Sequence, residues 1–516
     1  MAVADLAFIV SAGPRVSDDP AVRKLIRQQA MKNVALTRKS RRPRVDCNTL
    51  IVTKKSPTTC LKDDLFPPAT KNPEEVHDIL SKLSYFGIGD DLSDVFLVGT
   101  DPEPCSLMFN PMVSPSPPLL TEYEAARSMH NVDIVDLSML TCFCISKNII
   151  PMLTADPSLL KTLIGHDRWS YVQYIPGLYR TSKCLATATD CVLSKVRSLL
   201  SPSPAARKTA TELYSRALRI LQQDLQDSVA CLGADVLCAS LLLCLYELLS
   251  STDGGAAWTQ HMNGCVKLIK HRTPDRFQTD FEKALFYAHT GPVVFEALSG
   301  SQDCRYGCYL QEGIWSQLYS SISEDSDELT GRSPLAIALK LELFALPGLW
   351  LEIDECINNG ELLREDVTCI LEVRCRQADY KFTSWLQRYK AYCLSKPSYG
   401  LTSAEVAERR ELQGLALECS VVVKRLISTV CGHRTQRLAQ EELQAADALL
   451  EMQNGPKPQH AWMLSGSEVA IAQSIISTHG QWIVRQDNES ALAARVRRQA
   501  QYKAWTRLLG WTTWMD

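Results

Sequence analysis

None of the 19 cysteines stands three positions from another, so the chain has no C-x2-C pair. Its close cysteine pairs, Cys142/Cys144 and Cys304/Cys308, have no matching second pair at a workable separation. A structural zinc site of the usual kind, which needs paired ligands, is therefore not expected. There is also no G-x-S-x-G nucleophile elbow, no Walker A loop and no Rossmann glycine fingerprint. The nine histidines fall at no motif spacing, and Gly291, Gly300 and Gly307 are too far apart to cradle a phosphate. Residues 9–65 contain no aromatic side chain, so this stretch is poorly equipped to stack on nucleic-acid bases. Long uninterrupted apolar runs are missing as well. The most apolar stretch, 229–249, holds Asp235 and Glu247, which a bilayer would penalise by several kcal/mol, and it reads as a buried helix. The first ten residues include Asp5 and lack a basic n-region and a long h-region, so no secretory signal is expected.

What is present is an ordinary globular composition, 46 % hydrophobic and 22 % charged, on a 516-residue chain. That length suits two or three domains or one large helical array. Cys231, Cys238 and Cys244 sit among Leu, Val and Ala, as do most of the others, and read as reduced thiols acting as small hydrophobes. The net charge of −3 conceals an asymmetry. Residues 1–60 hold twelve Lys/Arg against four Asp/Glu, whereas the remainder is acidic overall. A basic head on an acidic body points to an anionic partner or an import receptor.

Three regions follow along the chain. In 1–44, Asp19 and Pro20 can start a helix on which Val22, Leu25, Ile26, Ala30 and Val34 share a face. It runs into the cluster Arg38, Lys39, Arg41, Arg42 and Arg44, with Pro43 as a stop. Such a short basic run is a candidate nuclear-import signal, and its bland alternative is a solvated basic stretch. Residues 45–120 are rich in proline, among them Pro67, Pro68, Pro102, Pro104, Pro117 and Pro118, and read as a linker or strap. From 121 to 516 apolar residues recur every three or four positions. Helices are expected near 121–130, 132–147, 178–200, 205–224, 229–250, 256–272, 280–299, 310–322, 334–345, 361–394, 402–431, 435–452, 465–485 and 488–509. No βαβ rhythm and no fixed repeat is visible, so the expected fold is all-α, a large irregular array of packed antiparallel helices.

One enzyme reading has a motif behind it. Asp90, Asp91 and Asp94 match D-D-x-x-D, the pattern that holds magnesium diphosphate in terpene synthases, because Mg²⁺ prefers clustered hard oxygens. The motif follows Gly87 and Gly89, precedes a proline-rich run and has no second metal motif downstream. An acidic solvated loop accounts for it as well, and no cofactor is expected.

A second pattern is broader. It comprises 239–249, ASLLLCLYELL with Tyr246 and Glu247, then Trp258, then His261, Gly264 and Arg272, then Leu285-Phe286 and 294–298, VFEAL. At the start stand Phe8-Ile9, Pro14, Asp19, Val22-Arg23, Ile26-Arg27 and Ala30-Met31. These resemble the fungal-specific transcription factor domain, the helical middle homology region of fungal zinc-cluster regulators, over most of the chain. The resemblance implies an all-helical, nuclear, non-enzymatic regulator of a biosynthetic or metabolic pathway. Its partner would be another transcription factor or a second copy of itself, with no membrane involved. A cytosolic scaffold is the alternative outside both classes. Tyr246, Glu247, Trp258, His261 and Gly264 are expected as structural residues: apolar positions on the first helix form a buried face, and Gly264 admits a close helix. The chain departs from the family in lacking the C-x2-C-x6-C zinc binuclear cluster, since Cys47 and Cys60 are the only cysteines before Cys105. Sequence-specific DNA reading by these residues alone is therefore not expected.

Overall fold

The computed structural model describes residues 121–509, apart from short stretches at 146–148, 166–168, 251–254, 299–303, 327, 360–364, 397–400, 432–435, 455–464 and 484–489. The basic cluster at 38–44, the proline-rich segment and Asp90, Asp91 and Asp94 lie outside the described residues. Among the described residues there is no strand. The longer helices, in order, are α1 (Glu122–His130), α2 (Ile149–Ala155), α3 (Lys183–Leu200), α4 (Pro204–Gln226) and α5 (Ala234–Ser250). Then come α6 (Ala256–Arg272), α7 (Asp280–Leu298), α8 (Gly313–Ser320), α9 (Pro334–Leu343) and α10 (Leu346–Asn358). The last five are α11 (Glu365–Ser395), α12 (Ser403–Val430), α13 (Gln436–Asn454), α14 (Ser465–Ile483) and α15 (Ala491–Leu508).

The helix starts follow local chemistry. Thr121 and Glu124 form a reciprocal capping box at α1, and Thr402 and Glu405 do the same at α12. Ser203 accepts from the Ala206 amide with Pro204 in the first turn of α4, and Ser182 caps α3 by accepting from Leu185. Short connections then fold neighbours back on each other, as α3 on α4 and α11 on α12. The array is continuous. Helix α5 is buried on nearly every side, between α3, α4, α6 and α7. Helix α7 reaches α10, α9 packs on α11 and α12, and α12 to α15 form the far end.

The structure departs from several expected boundaries. The helix expected over 132–147 is a 3-10 stretch, Ile134–Thr141, because Asp133 turns back to accept from the Val135 amide and Cys142 is extended. The helix expected from 229 is interrupted at Gly233, where a Cβ would stand 2.2 Å from Asp235 Oδ1. The helix expected over 310–322 breaks at Glu312, whose carbonyl receives the amides of Trp315 and Ser316 as α8 starts. Helix α10 was not expected; Pro347 occupies its first turn, where its missing N–H costs nothing. The run Pro334–Asn358 contains an 18-residue window of mean hydropathy 1.5, long and apolar enough for a membrane span by composition. It is divided into α9 and α10, and 61 % of that window is buried. The described cysteines are free, and Cys231, Cys238 and Cys244 are buried.

Candidate functional site

Two centres gather polar chemistry inside the region of the resemblance. The first is built by the residues singled out in the sequence. Helix α5 presents Tyr246 and Glu247, α6 presents His261 one turn after the buried Trp258, and α4 adds Tyr214. The Tyr214 and Tyr246 rings stack at 4.3 Å and 7°, and the Tyr246 hydroxyl donates to the Ala210 carbonyl at 3.4 Å. Tyr214 hydrogen-bonds Glu247, and its hydroxyl lies 3.1 Å from His261 Nε2. With Tyr214 donating to the carboxylate, the neutral imidazole donates from Nε2 to the phenol oxygen, giving one chain, His261 to Tyr214 to Glu247. Lys195 of α3 lies 5.6 Å from the Tyr246 ring centre, so four helices meet here.

Electrostatics make this cluster a brace. Burial pushes His261 down to about 4, so the ring is neutral near pH 7. Burial, and then Glu247, push the Tyr214 phenol up, and burial does the same to Tyr246. His261, Tyr214 and Tyr246 are thus all shifted away from neutral pH, where a general acid or base titrates. Gly264 behaves differently from the expectation: nothing lies within 4 Å of where its Cβ would stand, so it admits no close helix. The close approach is at Gly291 of α7, where a Cβ would fall 1.8 Å from the Phe143 carbonyl oxygen. At the end of α6, Arg272 is buried and pairs with Glu282 Oε1 at 2.8 Å, tying α6 to α7.

The second centre was not expected. Lys340 of α9 is buried, and its ammonium donates to the Tyr287 hydroxyl at 2.8 Å and to the Gly331 carbonyl at 2.9 Å. It stands 4.9 Å from the Phe143 ring centre and 5.0 Å from that of Tyr287. Arg332 lies 4.3 Å from the Trp169 ring centre and pairs with Glu324. Glu408 and Glu411 of α12 are buried, and Glu411 hydrogen-bonds Cys144. Burial, with Glu411 second, pushes the Cys144 thiol well up, which makes it a poor nucleophile. The contributing residues are scattered from 143 to 411, so no spacing could announce them. The one sequence signal is Lys340 itself, a lone cation in the apolar run 335–341, LAIALKL.

Among the described residues no group of three or more His, Cys, Asp or Glu is arranged to hold a metal ion. Both centres cross-link helices through neutral or paired groups, and together they define an all-α packing domain. Residues 138–337 match the family model of the fungal specific transcription factor domain. The matched stretch begins in the 3-10 segment before α2, contains both signature helices α5 and α6, and ends within α9. No curated protein and no solved structure matches the chain.

Proposed function

We propose that this chain is a nuclear transcriptional regulator that works through contacts with other proteins and has no enzymatic activity. The observation behind the reading is the fungal specific transcription factor domain at 138–337. The pathway it would control is a fungal biosynthetic or metabolic one, and its partner is another transcription factor or a second copy of the chain. The 516 residues hold no C-x2-C pair, so they supply no zinc-cluster module for reading bases themselves. The basic cluster Arg38, Lys39, Arg41, Arg42 and Arg44 serves as the import signal in this reading. The internal clusters around Tyr214 and Lys340 fit the same picture, since their groups are paired or neutral rather than poised for chemistry.

The test is a fluorescently tagged full chain in a fungal host, followed by transcript profiling after deletion. The expected result is nuclear signal, retention in the cytoplasm for Arg41→Ala/Arg42→Ala, and a defined set of altered transcripts. Cytoplasmic wild-type protein with an unchanged transcriptome would overturn the proposal and leave the scaffold reading. Turnover of an isoprenyl diphosphate by the purified chain, abolished by Asp90→Ala/Asp91→Ala/Asp94→Ala, would overturn the non-enzymatic part.

A further inference from the structure

Helix α11 is 31 residues long and packs on α9, α10 and α12. Its inner stripe, Leu371, Cys375, Phe382, Trp385 and Tyr389, is buried. Trp385 Nε1 donates to the Leu335 carbonyl at 2.8 Å, and the Tyr389 hydroxyl donates to the Arg409 carbonyl at 2.8 Å. Among the described residues the opposite side is uncovered, and it carries large apolar side chains where a solvated face should be polar. Ile370 is 61 % exposed, Val373 60 %, Tyr380 73 % and Leu394 76 %. Positions 370, 373, 377, 380, 384, 387, 391 and 394 form one stripe with alternating steps of three and four, the seam of a two-helix contact. The remaining places on it are Gln377, Ser384, Gln387 and Ala391, none of them charged.

The borders of the stripe are basic: Arg374, Arg376, Lys381, Arg388 and Lys390. Arg374 pairs with Glu352 of α10, Arg376 with Glu372, and Lys381 with Glu342, while Arg388 and Lys390 are exposed. This charge pattern selects the occupant. In an antiparallel self-pair, with Ile370 facing Leu394 of a second copy, Arg374 would approach the copy's Arg388 and Arg376 its Lys390. In a parallel self-pair Arg376 would approach the copy's Lys381. Either register brings like charges together, which disfavours a second copy on this face.

We infer that the outer face of α11 docks an acidic amphipathic helix from a partner protein, with the Ile370–Val373–Tyr380 patch as anchor and Arg388 and Lys390 as guides for its carboxylates. Helix-in-groove recognition reads apolar anchors at this spacing, and the basic rim raises the rate of encounter with an acidic segment. The inference goes beyond the regulatory reading and does not rest on it, since docking occurs whatever process the partner serves.

The experiment uses the full chain and a fluorescein-labelled 20-residue peptide with Leu at three- and four-residue steps and Glu elsewhere, followed by anisotropy. Saturable binding is expected, weakened about tenfold or more by Ile370→Glu/Tyr380→Glu and by Arg388→Glu/Lys390→Glu, and reduced by added salt. The same peptide with Lys in place of Glu should not bind. These side chains are on the surface, so the variants should keep the thermal midpoint of the parent, which separates lost docking from lost folding. Absence of saturable binding overturns the proposal, as does binding that both double variants leave unchanged. Light scattering that shows a dimer dispersed by Ile370→Glu/Tyr380→Glu would overturn it in favour of a second copy. Flotation with phosphatidylserine vesicles, lost in the same variants, would overturn it in favour of a membrane.

Discussion

Single side chains carry two kinds of charge problem in this molecule. Arg425 of α12 and Glu442 of α13 are both fully buried and paired through Arg425 Nε. Arg425 Nη1 also donates to Thr478 of α14 at 2.9 Å, and the guanidinium stands 4.5 Å from the Trp482 ring centre. Burial pushes the guanidinium down to about 9. The attraction of such a pair offsets its desolvation only while both members are present. Glu442→Ala should therefore destabilise the chain by about 3–5 kcal/mol, because it leaves a buried cation alone. Arg425→Met with Glu442→Leu should recover most of that loss. Urea unfolding of the three proteins decides the matter; a double variant as weak as the single one would mean that the pair is net stabilising.

The second problem at this scale is histidine. His261 is held near 4 and His289 near 3, both by burial, and neither ring nitrogen of His289 has a hydrogen-bond partner. The folded state thus prefers the neutral rings, whereas the unfolded chain takes up protons below about pH 6.5. Stability is complete above that pH and is lost as the pH falls toward the folded values. At pH 5 each histidine should cost about 2 kcal/mol relative to pH 7.5. Chemical denaturation at the two pH values checks this, and His261→Gln with His289→Gln should flatten the difference. An equally steep loss in that variant would place the acid sensitivity in other groups.

At the scale of elements, two glycines on adjacent helices test how the array is packed. Gly291 sits on α7 beside Pro292, with the Phe143 backbone against it. Gly264 lies mid-helix on α6 and faces open space. Gly291→Ala should destabilise by about 1–3 kcal/mol or more, since backbone cannot yield to a methyl group. Gly264→Ala should stabilise by about 0.5–1 kcal/mol, since alanine loses less entropy in a helix. Thermal melts of the two variants should shift in opposite directions; a loss at Gly264 would show that the glycine admits a close neighbour after all. Helix existence was largely legible in the sequence, because α4, α6, α7, α11, α12 and α13 each carry a long apolar periodicity. The structure adds their caps, Ser203 with Pro204 at α4 and Thr402 with Glu405 at α12. Helix α10 and the short pieces at Ile149–Ala155 and Ile175–Leu178 were not expected; each holds a proline in its first turn, where it is tolerated.

The whole molecule extends past the matched family region. The compact unit runs from Ser116 to Asp516, whereas the family match ends at residue 337, inside α9. Lys340 and Phe344 lie beyond that end and are fully buried, Lys340 on Tyr287 and Phe344 4.8 Å from the Tyr319 ring centre. A fragment ending at residue 337 would expose the faces of α7 and α8 that these residues cover. It should be soluble poorly, digested rapidly by protease and without a cooperative melt, while residues 116–516 should melt cooperatively. A fragment 138–337 that melts sharply would make the matched stretch an independent domain.

The sequence by itself determined the all-α class and the buried α5, because hydrophobic periodicity acts within a few turns of one chain. It also singled out Tyr246, Glu247 and His261. Only the tertiary structure supplied Tyr214, which links Glu247 to His261 from 33 residues upstream of Glu247 on another helix. The same holds for the Lys340 centre, the Arg425–Glu442 pair, the contact at Gly291 and the open face of α11. In each, which side chains meet depends on how helices far apart in the chain cross. That is settled by the packing of the whole core, and no local pattern encodes it.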